Sequence, residues 1–296
     1  MKPPTDHESQ LRKRNRREFL AATFAGAALP PSRAQASTPL RFGTTPVFLH
    51  EQISLLDRWQ RQLESRLDRP VRFVQRGSYR EIVDLLLGDG VDAAWLCGHP
   101  LVLHESRLTV VAVPRYQGAA LYRSHLIVPS TDAVTRGVPD LRGRVFAYSD
   151  PLSNSGFLIP RAEIAALGAD PSSFFRRTFF TFSHRKVVEA VRAGLADGGA
   201  VDGYVWDTVA AQQPASVAGL RVAWRSAPHG FPPVVARRNW SPAEARQLGE
   251  ALRAMPSDAE GRAILERLNI DGFEEPKPGQ FDSIRVLLRV AERGGS

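Results

Sequence analysis

Over the first third of the chain, short continuous or alternating apolar runs take turns with stretches whose apolar positions recur three and four apart. Leu40-Arg41-Phe42-Gly43-Thr44-Thr45-Pro46 predicts a strand ending in a Gly/Thr turn, and Leu55, Leu56, Trp59, Leu63 and Leu67 share one helix face. Pro70-Val71-Arg72-Phe73-Val74 alternates as a strand does. Residues 79–87 have helical spacing and stop at Gly88-Asp89-Gly90, and Val91-Asp92-Ala93-Ala94-Trp95-Leu96 follows as a buried strand. Strands that alternate with helices build a mostly parallel sheet, and its ligands gather beyond the carboxyl ends of the strands. Thr44, Thr45 and residues 95–98 occupy such ends.

The pattern then starts again. Strands are predicted over residues 110–114, 122–128 and 145–148, a helix over 162–167, a strand over 178–182 and a helix around Val187, Val188, Ala190 and Val191. Residues 198–202 lead into a strand at Tyr204-Val205-Trp206, and residues 220–224 and 229–236 supply further strands. Two helices, over 243–255 and 257–268, and an amphipathic piece over 284–290 finish the chain. The two halves repeat one design. Ile82-Val83-Asp84-Leu85-Leu86 with Val91-Asp92-Ala93-Ala94-Trp95 stands beside Val187-Val188-Glu189-Ala190-Val191 with Val201-Asp202-Gly203-Tyr204-Val205-Trp206. A duplicated α/β unit predicts two similar lobes with crossings near Tyr122 and residues 228–235, and a cleft between lobes is the usual place for a ligand.

Composition narrows the partners. The 296 residues are 43% hydrophobic and 24% charged, which excludes disorder. The net charge is +8, of which residues 1–36 hold +4, so the remainder carries +4 and forms no basic stripe with interleaved aromatics. Nucleic acid is therefore not an expected partner. Cys97 is the one cysteine, so there is no internal disulfide and no cysteine-built metal site, and neither a metal nor a cofactor is expected.

At the N-terminus, Arg12-Lys13-Arg14-Asn15-Arg16-Arg17-Glu18-Phe19-Leu20 is basic, residues 21–29 are apolar, and Ala34-Gln35-Ala36 is a small-x-small cleavage site. Residues 1–36 thus read as an export signal. Arg16-Arg17 before Phe19-Leu20 gives it a twin-arginine character, with an ordinary secretory signal as the alternative. No later segment reaches 18 uninterrupted apolar residues, so a soluble periplasmic protein is expected.

The chemistry concentrates in Asp150-Pro151-Leu152-Ser153-Asn154-Ser155-Gly156, directly before Phe157-Leu158 and a helical run. Ser and Asn are favoured N-caps, and a helix start presents unpaired N–H groups and a partial positive charge, which suits an anion. The same stretch also reads as an ordinary cap and turn.

Taken with Gly43-Thr44-Thr45-Pro46, Tyr79, Val91-Asp92-Ala93-Ala94-Trp95, Tyr122-Arg123-Ser124, Asp140-Leu141-Arg142-Gly143, Pro160 and Ser183-His184, this stretch resembles the periplasmic substrate-binding proteins of ABC transporters for phosphonate, phosphite and related phosphorus oxyanions. The likeness covers most of residues 40–290. It implies a two-lobed, hinged α/β receptor of the type II-like periplasmic-binding-protein fold. Lobe 1 would be residues 37–122 and 233–296, and lobe 2 residues 123–232. It implies oxyanion contacts from Ser153, Asn154 and Ser155, pocket tyrosines at Tyr79 and Tyr122, a pocket histidine at His184, and Thr44 and Thr45 at the strand end. Asn154 stands where threonine is usual, so a hydroxyl donor is lost. Two phenols, hydroxyls, amides and an imidazole are the donors a tetrahedral oxyanion needs, and the protonation of His184 would set the charge the pocket tolerates.

Relatives that hold aminoalkylphosphonates use acids for the ammonium. Asp207 matches one such position, but Gly230-Phe231-Pro232-Pro233 offers no second acid. That favours a smaller oxyanion, or an organic group in contact with Phe231 and Trp206. Arg80, Arg115, Arg123 and Arg185 read as solvated side chains. The resemblance implies a non-catalytic, monomeric receptor that hands a small oxyanion to a membrane permease. A sensor lobe is the alternative, and an enzyme on the same fold is a further one. No nucleophile elbow, HExxH or phosphate-loop lysine motif is present, and Asp92 and Asp202, at equivalent places in the repeat, read as structural.

Overall fold

The structure is a computed structural model that describes residues 38–45 and 53–293. The export signal and Pro46 lie outside the described residues. In chain order the elements are β1 (Leu40–Thr44), α1 (Ile53–Leu67), β2 (Val71–Gln75), α2 (Tyr79–Leu87), β3 (Ala93–Trp95), α3 (Gly98–Leu103), β4 (Leu108–Arg115), β5 (Leu121–Tyr122) and β6 (Ser124–Pro129). They continue with β7 (Val145–Tyr148), α4 (Ile159–Ala166), β8 (Arg177–Phe180), α5 (His184–Arg192), β9 (Gly198–Asp202), α6 (Gly203–Gln212), α7 (Pro214–Val217) and β10 (Leu220–Arg225). The last are β11 (His229–Gly230), β12 (Val234–Arg237), α8 (Pro242–Arg253), α9 (Ala259–Leu268), β13 (Gly272–Glu274) and α10 (Asp282–Arg293).

The strands form two large sheets, ordered β13-β4-β12-β3-β1-β2 and β10-β6-β9-β7-β8, with β5 and β11 paired between them. In the first sheet β1 runs parallel to β2 and β3, and β12 runs antiparallel to β3. In the second, β7 runs parallel to β8 and β9, and β6 runs antiparallel to β9. The duplication read in the sequence is thus a duplication of sheet topology. The chain passes between the sheets through β5 and β11, where Tyr122 pairs with His229 and Leu121 with Gly230.

Each sheet has its own aromatic core. Phe42, Trp59, Phe73, Trp95 and Phe273 interlock with ring centroids 5.2–6.3 Å apart on the first. Phe146, Tyr148, Phe157, Phe175 and Phe180 do so on the second. Burying rings of 150–250 Å² apiece is the largest apolar contribution either lobe has. Helix α10 packs mainly on α4 and also touches α3.

The local signals explain the elements. Ser78 caps α2 by accepting from Glu81 N–H, and Ser78 Oγ lies 2.9 Å from the Glu81 carboxylate, which orders the first turn in front of buried Tyr79, Ile82, Val83 and Leu86. One expectation is overturned: Tyr204-Val205-Trp206 is the first turn of α6, not a strand. Asp202 Oδ1 accepts from Tyr204 N–H at 2.9 Å and ends β9 as an N-cap. A short apolar run could not distinguish the two. Asp92, its counterpart in the repeat, accepts from Arg41 and Arg237.

Candidate oxyanion site

The turn at residues 150–158 is wound wider than an α-helix. Ser153 caps it, its Oγ accepting from Gly156 N–H at 2.9 Å, and the Leu158 N–H reaches back five residues to the Ser153 carbonyl at 3.0 Å. Such π-type turns recur at functional sites because they splay backbone and side chains that a regular helix would stack. Gly156 is obligatory here, since a Cβ would stand 1.9 Å from Ser149 Oγ and 3.1 Å from the Ala200 carbonyl. The turn is thereby pressed against β7 and β9, and Ser153, Asn154 and Ser155 are all fully buried.

Four other elements converge on it. Tyr79 opens α2, His184 opens α5, Tyr122 ends β5, and Cys97 follows β3. All are buried. The two sides are tied together by hydrogen bonds. Asp150 accepts from the Tyr79 N–H at 3.2 Å, Tyr79 Oη lies 3.2 Å from His184 Nε2, and the Asn154 N–H donates to Cys97 Sγ at 3.1 Å. Asn154 Nδ2 donates to Tyr122 Oη at 2.9 Å, and Ser155 adjoins the same hydroxyl.

The direction of each proton follows. His184 Nδ1 lies 3.1 Å from the Asp202 N–H, which can only donate. Burial pushes the imidazole down to about 3, so the ring is neutral and carries its proton on Nε2, donating to Tyr79. Tyr79 Oη therefore accepts, and its own proton is free to donate elsewhere. Asn154 Nδ2 likewise donates to Tyr122 Oη, whose hydroxyl also lies 4.0 Å from Cys97 Sγ. Burial raises both phenols well above their ordinary range, so both keep their protons. The Ser155 and Thr44 hydroxyls are buried and form no good hydrogen bond among the described residues, and Ser153, whose Oγ accepts, still has its proton to give. The turn and the elements around it thus bring together four hydroxyls, those of Ser153, Ser155, Tyr79 and Tyr122, while the buried Thr44 hydroxyl stands at the end of β1. No Lys or Arg side chain bonds to any of these groups among the described residues, and burial raises the nearby carboxyls Asp150 and Asp202, the latter to about 7.

Some expected members lie elsewhere. Thr45 Oγ1 donates to the Trp95 carbonyl at 3.3 Å, at the end of β3. Asp207 accepts from Tyr116 Oη at 2.8 Å and lines a separate cavity of about 510 Å³ with Tyr116, Tyr204, His125 and Arg225. Trp206, in the first turn of α6, packs into the apolar layer of Val145, Val187 and Val201. Phe231 is fully buried, its ring 5.8 Å from Tyr122 and 5.1 Å from Tyr204. Burial holds the His184 ring neutral, with its Nε2 beside Tyr79 Oη. Cys97 and Asp150 are the members that sequence reasoning did not assign. The signal for Cys97 was its place at the carboxyl end of a central strand. Among the described residues no group of three or more His, Cys, Asp or Glu could hold a metal, and no helix is long and apolar enough to cross a membrane.

Comparison with known proteins gives the family and the fold. Residues 42–281 match the family described as "ABC transporter, phosphonate, periplasmic substrate-binding protein". The chain is 26% identical over 288 residues to the phosphonates-binding periplasmic protein of Escherichia coli (strain K12), covering 94% of this chain and 84% of that one. Among solved structures, a binding protein component of an ABC phosphonate transporter from Pseudomonas aeruginosa superposes with a TM-score of 0.78 at 23% identity, over 86% of this chain and 87% of that one. PhnD1 from Prochlorococcus marinus (MIT 9301), in complex with methylphosphonate, gives 0.76 at 19% identity, over 86% and 98%. The fold is therefore that of the two-lobed periplasmic binding proteins, and the chain belongs to the phosphonate family of periplasmic substrate-binding proteins of ABC transporters.

Proposed function

We propose that the protein captures one phosphorus oxyanion, a phosphonate, phosphite or phosphate, between residues 37–122 with 233–296 on one side and residues 123–232 on the other, and delivers it to an inner-membrane permease. The observation that carries this reading is the set of buried hydroxyl protons. His184 and Asn154 each donate to a tyrosine oxygen, so the Tyr79 and Tyr122 hydroxyls stand as O–H donors with those of Ser153 and Ser155. Hydrogen bonds to a charged acceptor contribute roughly 1.5–3 kcal/mol each, and here they are fixed before the ligand arrives. The reading is of binding alone: His184, the base nearest the tyrosine hydroxyl, has its Nδ1 held by the Asp202 N–H and is not free to take a proton.

The protein works as a monomer that hinges at Tyr122 and at residues 228–235, and it reaches the periplasm by the twin-arginine route. Titration calorimetry with methylphosphonate, phosphite, phosphate, 2-aminoethylphosphonate, sulfate and acetate tests the site. Binding of a phosphorus oxyanion with a smaller radius of gyration in solution scattering is expected. Binding of carboxylates alone, or none, would overturn the reading. Export that survives replacement of Arg16 and Arg17 by lysine would overturn the twin-arginine route.

A further inference from the structure

We infer that Cys97 is a specificity-determining residue, which makes the site favour an oxyanion with one non-oxygen substituent, P–H or P–C, over one with four oxygens. This rests on the oxyanion reading above and adds to it the chemistry of one wall.

Cys97 Sγ sits inside the cluster, 3.1 Å from the Asn154 N–H and 4.0 Å from Tyr122 Oη. It is 4% exposed, and it also accepts a backbone N–H from His99 at the start of α3. Both interactions use the sulfur as acceptor. What remains is a weak S–H donor on a polarisable, largely apolar atom. Burial pushes the thiol up to about 11, so it is neutral and does not repel an anion.

The surroundings differ on the other walls. Ser155 Oγ is a fully buried hydroxyl with no good hydrogen bond among the described residues, and the Tyr79 proton is left uncommitted by the His184 contact. The hydroxyls of Tyr79 and Ser155 are thus left to donate, while the sulfur takes up the Asn154 N–H and withholds it from a ligand. An oxygen turned toward Cys97 would give up its hydrogen bonds to water for a poor partner. A hydrogen or methyl group there gives up nothing. Asn154, in place of a hydroxyl residue, acts in the same sense, because its side-chain amide is spent on Tyr122.

The test is titration of the whole protein with methylphosphonate, phosphite and phosphate, ligands of comparable charge near neutral pH. Wild type should bind methylphosphonate or phosphite at least about tenfold more tightly than phosphate, the worth of about one hydrogen bond. Cys97→Ser supplies a hydroxyl, and Cys97→Ala releases the Asn154 N–H. Either should narrow that ratio by roughly five- to tenfold. A wild type that favours phosphate, or a ratio unmoved in both variants, would overturn the role of Cys97 while leaving the oxyanion site intact. A wild type that binds none of the three overturns the site itself.

Discussion

Tyr122 separates two polar clusters that handle charge in opposite ways. On one side its hydroxyl faces Asn154, in a sealed set of neutral groups whose protons are left to donate. On the other its ring lines the cavity of about 510 Å³ where Asp207 holds Tyr116 at 2.8 Å and Arg123, Arg225 and His125 bring further polar groups. The first cluster is preorganised and unsatisfied. The second is half-open, and its one carboxylate already has a partner. An anion belongs with neutral preorganised donors, which exchange hydration for fixed dipoles without a counter-ion to desolvate. An ammonium group would have to compete with Tyr116 for Asp207, which agrees with a ligand smaller than an aminoalkylphosphonate.

The comparison breaks most completely at Gly156. A methyl group there meets Ser149 Oγ at 1.9 Å and the Ala200 carbonyl at 3.1 Å, and neither β7 nor β9 can retreat far. Gly156→Ala should abolish measurable oxyanion binding and destabilise the protein by about 1–3 kcal/mol, read by calorimetry and denaturant titration. Full binding in this variant would show that the turn does not hold the ligand.

Tyr79→Phe comes next. It removes one O–H donor and strands the His184 Nε2–H in a buried site, so affinity should fall roughly 10- to 100-fold. Ser153→Ala should cost a similar factor in affinity and, as a lost cap, about 1 kcal/mol of stability. If either variant binds as wild type does, the donor set is wrong at that residue.

Much of this arrangement could be read from the chain. The repeat of Val91-Asp92 and Val201-Asp202 after apolar helices announced two like lobes, and Ser153-Asn154-Ser155-Gly156 announced a helix start beyond a strand. What could not be read was the direction of hydrogen bonds. Asp207 lies on α6 only because Asp202 ends β9 two residues before Tyr204, and a strand at 204–206 would have placed it differently. The role of His184 depends on the Asp202 N–H, a backbone group that carries no sequence signal. Cys97 earns its place from a contact with a segment 57 residues away.

A smaller effect sharpens the comparison through pH. Burial lowers His184 to about 3, so the unfolded chain binds a proton that the fold excludes, and that stability is lost as pH falls from about 6.5 toward 3. His125, on the other side, is lowered to about 4 and acts in the same direction. Asp202 is raised to about 7, so the fold keeps a proton that the unfolded chain releases, and that stability is present below about 3.8 and lost as pH rises to about 7. The slopes of His184 and Asp202 oppose between pH 4 and 6.5. Asp202→Asn retains a cap for α6 but removes its slope. Its stability should fall on acidification from pH 6.5 to 4.5 more steeply than that of wild type, by up to about 1.4 kcal/mol per pH unit in denaturant titrations. Parallel curves would mean that Asp202 is ionised throughout.

The smallest expected change is on the hinge side. Asp207→Asn keeps an acceptor for the Tyr116 hydroxyl while removing the charge. Since Asp207 bonds to Tyr116 and to none of the Ser153, Ser155, Tyr79 and Tyr122 hydroxyls, affinity for methylphosphonate should change less than about threefold, a fraction of one neutral hydrogen bond. Affinity for 2-aminoethylphosphonate should be equally indifferent, because the carboxylate is engaged and Tyr122 stands between it and Asn154. A selective loss of the aminoalkyl ligand by tenfold or more would show that Asp207 leaves Tyr116 when ligand binds. The two clusters would then be one extended site, with Tyr122 as its middle wall.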